Sequence, residues 1–375
     1  MSLERKASTQ GIFYNATDND SESYRVVWHK LGEETGKVPL RGPASALALS
    51  PGDRFVAVAV GKEIHIYSRS GHIEVIEGSV GISQLSFAPT WTNDGGYMLV
   101  SLADCVKIWY LDSHGKPYAN KHQVTVQENM AVFSSDGSVM ICFTQDKGFE
   151  REVGAGPFPH VTVWDVTARR LRTYLPGHSR GVRWAAVSPD STSIAVVERD
   201  DKVRIWNAAT GGCEHILDLT KACVWHGGFS PNSKCIALYG SFGIRVYAIA
   251  TGAKIFDWLP CGVFPGWINW TSNRLLLATA NPQETTLWDA ALKDVGGRVM
   301  VAKNASGLDW YPSARFFDRG RKLMCHCNDV ATDVYDTLSS IMHKFPQGTM
   351  PPVCSSDESC FLAVGQDQTL RIWKI

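Results

Sequence analysis

A short strand pattern recurs along the chain and limits the folds that the chain can adopt. Its clearest copy is VRIWN at 203–207, an alternating strand whose fourth residue is aromatic. The same pattern recurs seven more times, and its aromatic residues are Tyr67, Trp109, Trp164, Trp206, Tyr247, Trp288, Tyr335 and Trp373. Successive aromatic residues are 38–55 residues apart. A period of about 40–45 residues is typical of a repeated unit of four short strands.

A turn between two apolar strands precedes each aromatic strand. SPDS at 188 and SPNS at 230 are clear copies of this turn, and eight turns accompany the eight aromatic strands. A four-stranded sheet of about 40 residues cannot bury both faces alone, whereas sheets stacked on one another can. The repeats therefore predict an all-β protein made of stacked sheets.

On these motifs the chain resembles the WD40-repeat β-propeller family over about residues 37–375. VTVWD and TTLWD carry the Trp-Asp pair, Gly177 and His178 form the Gly-His pair, and DDKVRIW and DQTLRIW match the turn before the third strand. The resemblance implies an all-β, WD40-type propeller, with eight blades favoured and seven or nine as alternatives. It also implies a ring that is closed by an N-terminal strand.

The amino-terminal part of the chain leaves two possibilities for that closure. KVPLRG at 37–42 stands where an outer strand would lie, while YRVVWHKLG at 24–32 is a ninth aromatic strand. The second segment either supplies the closing strand or belongs to an incomplete extra blade at 11–42. We expect residues 1–23 to form a polar, partly flexible segment and residues 24–375 to form one domain.

The resemblance also separates structural residues from candidates for function. In this family a histidine, a Ser or Thr, an aspartate and a tryptophan form a hydrogen-bonded network inside a blade. The matching residues here are His178, Asp200 and Trp206, which we therefore interpret as structural. Val196 stands where the family has Ser or Thr, so the expected network is incomplete.

Composition narrows the classes of function and location. Thirty-seven basic residues balance thirty-seven acidic ones, so nothing in the net charge favours nucleic acid. No apolar run reaches the roughly 18 residues that span a bilayer, and we expect a cytoplasmic or nuclear protein with no membrane attachment. We find no common metal motif, phosphate-binding loop or nucleophile motif, and we expect no cofactor, no metal and no catalytic residues.

The candidate binding surface is the rim at one end of the sheets. The segment 144–161 is the longest departure from the repeat, and long loops inside compact repeats are often functional. The segments that enter the innermost strands add aromatic and basic residues of the kinds that dominate binding hot spots. We predict that a protein or peptide partner contacts the following residues of this rim: Phe149, Arg151, Phe158, His160, Arg180, Arg183, Trp184, Trp225, His226, Trp267, Asp309, Trp310 and Tyr311.

Other interpretations of the same residues stay open. An enzyme or small-molecule binder could use an aromatic pocket at the mouth of the central channel, with acid, base or orienting groups from His160, His178, His226, Asp309 and Arg183. Several aromatic rings that face one another could instead hold a methylated lysine by cation–π attraction. Each tryptophan could also simply wedge between neighbouring blades.

Overall fold

The structure is a computed structural model, and it describes much of the chain between residues 34 and 374. The ranges outside the description are 1–33, 69–70, 78–80, 90, 92–93, 102–104, 118–123, 127, 145–160, 169, 179–181, 199–201, 220–222, 259–265, 271–274, 281–283, 291–297, 304–312, 318–321, 328–330, 337–341, 346–352, 355–359 and 375.

Five antiparallel sheets of four strands belong to one compact unit, which holds Pro39–Asp257. In each sheet the strands lie side by side in chain order. Sheet 1 contains β2 (Ala44–Leu49), β3 (Phe55–Val60), β4 (Glu63–Ser68) and β5 (Gly71–Glu77), with a 3-10 turn at Pro51–Asp53. Sheet 2 contains β6 (Gln84–Phe87), β7 (Gly95–Ser101), β8 (Val106–Asp112) and β9 (Val124–Val126). Sheet 3 contains β10 (Met130–Phe133), β11 (Val139–Phe143), β12 (Val161–Asp165) and β13 (Arg170–Leu175). Sheet 4 contains β14 (Val182–Val187), β15 (Ser193–Glu198), β16 (Lys202–Asn207) and β17 (Cys213–Asp218). Sheet 5 contains β18 (Val224–Phe229), β19 (Cys235–Gly240), β20 (Gly243–Ala248) and β21 (Lys254–Trp258).

Three further four-stranded sheets belong to the second compact unit, which includes Trp258–Cys354, Glu358–Ile375 and the chain up to Val38. Sheet 6 contains β22 (Gly266–Trp270), β23 (Leu275–Ala280), β24 (Glu284–Asp289) and β25 (Arg298–Lys303). Sheet 7 contains β26 (Ser313–Phe317), β27 (Lys322–Cys327), β28 (Ala331–Asp336) and β29 (Met342–Phe345). Sheet 8 contains β30 (Val353–Cys354), β31 (Cys360–Val364), β32 (Thr369–Lys374) and, as its outer strand, β1 (Glu34–Pro39).

The all-β prediction is confirmed. In sheets 1–7 each aromatic strand of the repeat is the third strand in chain order, and in sheet 8 it is the third of the three strands that follow one another, β30, β31 and β32. The outer strand of sheet 8 comes from β1, which overlaps the 37–42 segment, while residues 24–32 lie outside the description. The number of blades, the closure of the ring and the single domain over 24–375 stay predictions.

Strand β15 shows why the sheets must stack. All six of its residues are buried, so both faces of the strand are covered. Ile194 and Val196 belong to an apolar cluster with residues of sheet 3, including Val163. Ala195 and Val197 point the other way, into a cluster with residues of sheet 5. A sheet in the middle of the unit is therefore apolar on both faces, as the sequence SIAVVE predicts.

A recurring serine builds the turn between the first and second strands. In sheet 4 the Oγ of Ser188 accepts a hydrogen bond of 2.9 Å from the backbone N–H of Ser193 and donates one of 2.6 Å to Asp190. Ser50, Ser134 and Ser230 accept the matching backbone hydrogen bond in sheets 1, 3 and 5. Because these hydroxyls satisfy buried backbone groups, we assign them to the scaffold.

The same turns connect neighbouring sheets and are sensitive to acid. The hydroxyl of Ser191 in sheet 4 donates a hydrogen bond of 2.6 Å to Asp136 in sheet 3. Partial burial raises the pKa of Asp136, but hydrogen bonds from Ser134, Ser191 and Ser138 more than offset this and hold the pKa well below its usual range. The Asp136 carboxylate therefore contributes stability that is present above its unfolded-state pKa and is lost as the pH falls towards the folded-state pKa.

We expect the Asp136→Asn variant to be less stable than the wild type at pH 7, with a difference that shrinks as the pH falls below about 4. The reason is that protonation of Asp136 removes from the wild type the negative charge that the substitution has already removed. Urea unfolding of both proteins between pH 7 and pH 2 measures the difference. A difference that stays constant over this range would contradict the assignment.

Candidate functional site

Strand register fixes which loops lie at the same end of a sheet. In sheet 4 the start of β14 pairs with the end of β15 through Val182 and Glu198, and Lys202 pairs with Asp218. In sheet 3 Met130 pairs in the same way with Phe143. The segment before each first strand and the loop from the second to the third strand therefore share one end, as the sequence predicts. We call this the entry end.

A backbone hydrogen bond joins the entry ends of sheets 3 and 4. The N–H of Val182, the first residue of β14, donates to the carbonyl of Thr144 over 3.1 Å. Thr144 follows β11 directly and begins the long segment 144–161. The base of that segment therefore lies next to Val182, which Arg183 and Trp184 follow immediately.

A buried ionic cluster supports the entry end of sheet 4. Glu198 has no exposed surface, and His178 is 2% exposed. Arg204 donates a hydrogen bond of 2.9 Å to Oε1 of Glu198, and Nδ1 of His178 contacts the same oxygen. Because a carboxylate can only accept hydrogen bonds, we assign the hydrogen of the His178 contact to Nδ1. The cluster connects the segment before β14 to the ends of β15 and β16.

The entry end of sheet 3 has a different set of buried hydrogen bonds, which lacks an arginine and a histidine. There Nε1 of Trp164 donates to the hydroxyl of Thr162 over 3.0 Å, and that hydroxyl donates to Glu128 over 3.2 Å. The buried thiol of Cys142 lies beside this chain, and burial, together with the nearby Glu128, raises its pKa well above the usual value. The Cys142 thiol is therefore protonated at neutral pH and is not a nucleophile.

Arg183 and Trp184 connect sheet 4 to sheet 5. A guanidinium nitrogen of Arg183 donates to Sγ of Cys223 over 3.1 Å. The indole ring of Trp184 lies over Gly227, where an added Cβ would stand 2.8 Å from the indole Cη2. The same ring approaches the imidazole of His226 at 6.2 Å between centroids. Trp184 therefore wedges between the first strands of two sheets while part of it stays exposed.

Electrostatics limits what this end of the sheets can do chemically. Burial lowers the pKa of His226 to about 4, so its imidazole is neutral at physiological pH. His178 and Glu198 are too deeply buried to touch a substrate. Within the described part of the chain, no group of three or more His, Cys, Asp or Glu residues is arranged to hold a metal ion. Arg183 and Trp184 are both partly exposed, so they offer surface for contact at this end.

Only part of the predicted rim can be located in the structure. Arg183, Trp184 and His226 come together at the entry ends of sheets 4 and 5. Trp225 and Trp267 lie in β18 and β22, and the structure describes their backbone alone. The other predicted contact residues lie outside the described residues: Phe149, Arg151, Phe158, His160, Arg180, Asp309, Trp310 and Tyr311. Asp200 of the predicted structural network also lies outside them.

Two residues at the entry ends of sheets 4 and 5 were not predicted from the sequence. Glu198 is the partner of His178, and its signal in the sequence is a lone acid at the end of the apolar run SIAVVE. Gly227 makes room for Trp184, and nothing in the sequence distinguishes it from other glycines.

Comparison with known proteins agrees with the repeat pattern. The model of the family "WD domain, G-beta repeat" matches residues 169–207. Anaphase-promoting complex subunit cdc20 of Dictyostelium discoideum is 23% identical over 202 residues, which are 40% of each chain. Eukaryotic translation initiation factor 3 subunit I of Emericella nidulans is 30% identical over 111 residues, which are 29% of each chain. Small ribosomal subunit protein RACK1y of Oryza sativa subsp. japonica is 29% identical over 100 residues, 27% of this chain and 30% of that protein. Each match spans less than half the length of the relative.

Solved structures support the fold over most of the chain. Sqt1 from Chaetomium thermophilum has a TM-score of 0.69 and 13% identity, with 92% of this chain and 99% of that chain covered. The computationally designed Ika8 protein has a TM-score of 0.64 and 15% identity, with 90% and 98% covered. At such identities the likeness shows the fold alone.

A search of the described residues for membrane spans finds no helix with the length and apolar character to cross a bilayer.

Proposed function

We propose that this WD40-repeat protein is a non-catalytic platform that binds a protein or peptide partner at the entry ends of sheets 3, 4 and 5. The contact surface would consist of Arg183, Trp184 and His226 together with the segment 144–161. The observation that carries the proposal is the hydrogen bond of 3.1 Å between Val182 and Thr144, which holds the base of the long segment beside the Arg183 and Trp184 entry.

The chemistry of the described residues supports binding rather than catalysis. Arginine and tryptophan are enriched among the residues that contribute most to protein interfaces. Of the acids and histidines near this surface, Glu198 and His178 are buried, and His226 is held neutral at physiological pH. We extend the proposed surface to those predicted rim residues outside the described ranges that belong to the same compact unit, since they lie in the same kinds of loop: Phe149, Arg151, Phe158, His160 and Arg180.

The printed names of the relatives point in the same direction. By those names, cdc20 is a subunit of the anaphase-promoting complex, a second relative is a subunit of translation initiation factor 3, and RACK1y is a protein of the small ribosomal subunit. We infer that this chain also works as part of an assembly, in the cytoplasm or the nucleus. The partner need not be any component of those three assemblies, because the matches cover only part of each protein.

Affinity capture with a matched pair of variants tests the proposed surface. Arg183→Glu reverses the charge at the entry end, while Arg172→Glu does so on the outer strand β13, where Arg172 pairs with Asp165 at 3.1 Å. We expect Arg183→Glu to lower the recovery of the partner at least about tenfold and Arg172→Glu to leave it nearly unchanged.

Thermal unfolding of both variants shows that each is folded before the comparison is made. Equal loss of the partner in the two variants would place the contact elsewhere. Recovery of a small molecule in place of a protein, identified by mass spectrometry of the eluate, would favour the small-molecule interpretation over the platform.

A further inference from the structure

A continuous strip of side chains joins sheets 4 and 5 at the entry end. A guanidinium nitrogen of Arg183 in β14 donates to Sγ of Cys223 over 3.1 Å. Two hydrogen bonds of 3.0 Å join Cys223 to Ser241: the Ser241 N–H donates to the Cys223 carbonyl, and the Cys223 N–H donates to the Ser241 hydroxyl oxygen. Phe242 follows Ser241 directly, and we call these four residues the entry strip. Ser241 is exposed and the other three are partly exposed, so a partner can reach all of them.

The polar side chains of the entry strip are mainly hydrogen-bond donors. A guanidinium carries N–H groups and no acceptor, and the contact of Arg183 with Cys223 uses one of those N–H groups. The Ser241 hydroxyl oxygen accepts from the Cys223 N–H, which leaves the hydroxyl hydrogen to donate. A second guanidinium, that of Arg245, lies 4.5 Å from the centre of the Phe242 ring. A partner that satisfies these donors has to supply acceptors.

Two described acids in this part of sheets 4 and 5 are already bound to other cations. Glu198 is completely buried and accepts a hydrogen bond from Arg204. Asp257, on the outer strand of sheet 5, lies 2.5 Å from Nζ of Lys254. The entry strip itself contributes the positive charge of Arg183, and none of its side chains is a carboxylate. Charge complementarity at this strip therefore favours a negatively charged partner.

We propose that the entry strip binds an acidic segment of the partner, with a carboxylate on Arg183 and Ser241 and an apolar side chain on Phe242. This inference rests on the proposed function above and specifies the chemistry of the partner. A carboxylate offers two acceptor oxygens to a guanidinium and a hydroxyl, and such charge-assisted hydrogen bonds are stronger than neutral ones. Phosphorylated segments are typically held by clusters of arginines, whereas the strip contains one arginine. The balanced net charge of the chain does not favour nucleic acid.

Selection from a phage-displayed library of random short peptides tests this chemistry. The full chain, Arg183→Gln and the control Arg172→Gln are each used as bait, after thermal unfolding has shown that each is folded. Arg172 is a suitable control because it lies on the outer strand β13, where it pairs with Asp165. We expect the full chain to select peptides in which Asp and Glu are at least about three times as frequent as in the library. Arg183→Gln should lose this enrichment, and Arg172→Gln should keep it.

A selected acidic peptide then identifies the source of the negative charge. Its affinity for the full chain, measured by fluorescence anisotropy, should fall at least about fivefold when NaCl rises from about 0.05 M to about 0.3 M, because salt screens the ion pair. Replacement of its Asp and Glu residues by Asn and Gln should lower the affinity at least about tenfold. Ser241→Ala should weaken binding by a smaller factor, since it removes one hydroxyl donor.

The outcomes separate this inference from the platform itself. Selected peptides that depend on Arg183 but have no excess of acidic residues would overturn the acidic segment and leave the platform standing. A phosphoserine version of the peptide that binds more than about tenfold more tightly would also overturn it, in favour of a phosphorylated partner. If no selected peptide depends on Arg183, the platform and the acidic segment are both overturned.

Discussion

The Glu198→Ala variant is expected to unfold with a free energy about 3–5 kcal/mol lower than that of the wild type. Glu198 is completely buried and is the shared partner of Arg204 and His178. Removal of one member of a buried ion pair leaves the other charge without compensation in an environment that solvates it poorly. The guanidinium of Arg204, whose side chain is only 12% exposed, would have to be rehydrated or displaced.

Urea unfolding of the full chain measures this loss, and Glu214→Ala is the control. Glu214 lies in the same sheet, on the outer strand β17, and is exposed, with a hydrogen bond of 3.0 Å from Asn207. Its replacement should change the stability by less than about 0.5 kcal/mol. Similar small losses in both variants would mean that the Glu198 cluster adds little to the stability of sheet 4.

Glu198→Ala also has a local consequence for the entry end. The cluster connects His178, which precedes β14, to the ends of β15 and β16. Amide hydrogen exchange should therefore increase first at the start of β14, around Val182, before the rest of the sheet becomes less protected. Faster exchange confined to the opposite end of the sheet, around Ser188, would contradict the proposed role.

The fold could be predicted because its signals are local and repeated. An alternating strand with a fixed aromatic position, and a turn before it, are each determined within a few residues, and both recur in every predicted repeat. Ser188 shows the reason, since its own backbone and side-chain hydrogen bonds reach no farther than Ser193. The outer strand of sheet 8 was harder to predict, because β1 pairs with β32 from the other end of the sequence.

The partners at the entry end could not be predicted in the same way. His178 suggested a network with Asp200, as in the family, whereas the described contact is with Glu198. Glu198 ends β15 and Asp200 comes two residues later in the sequence, and the sequence alone does not say which of the two acids contacts His178. Gly227 and Trp184 are far apart in the chain and belong to different sheets, so their contact follows from the packing of β14 on β18. Such contacts depend on tertiary packing, and no repeated pattern in the sequence indicates them.

The Gly227→Val variant is expected to lose about 2–4 kcal/mol of stability, because the new side chain would overlap Trp184. Even a Cβ at this position would stand 2.8 Å from Cη2 of the indole, 3.0 Å from Cζ3 and 3.1 Å from Cδ2 of Leu238. The indole would have to leave its place between β14 and β18. Gly212→Val is the control, since the nearest atom there is 3.3 Å away in an exposed turn and the expected change is below about 0.5 kcal/mol.

A double-mutant cycle with Trp184→Ala separates this contact from general strain in β18. Trp184→Ala alone should be destabilising, because it leaves a cavity beside Gly227. In that background Gly227→Val should cost less than about 1 kcal/mol, since the valine then fills space that the indole has left. Urea unfolding of the four proteins gives the coupling energy, and additive losses would show that Trp184 does not occupy the space over Gly227. If the coupling is found, the double variant is a folded protein that lacks the Trp184 ring. Its recovery of the partner then measures how much that ring contributes to binding, separately from its role in packing.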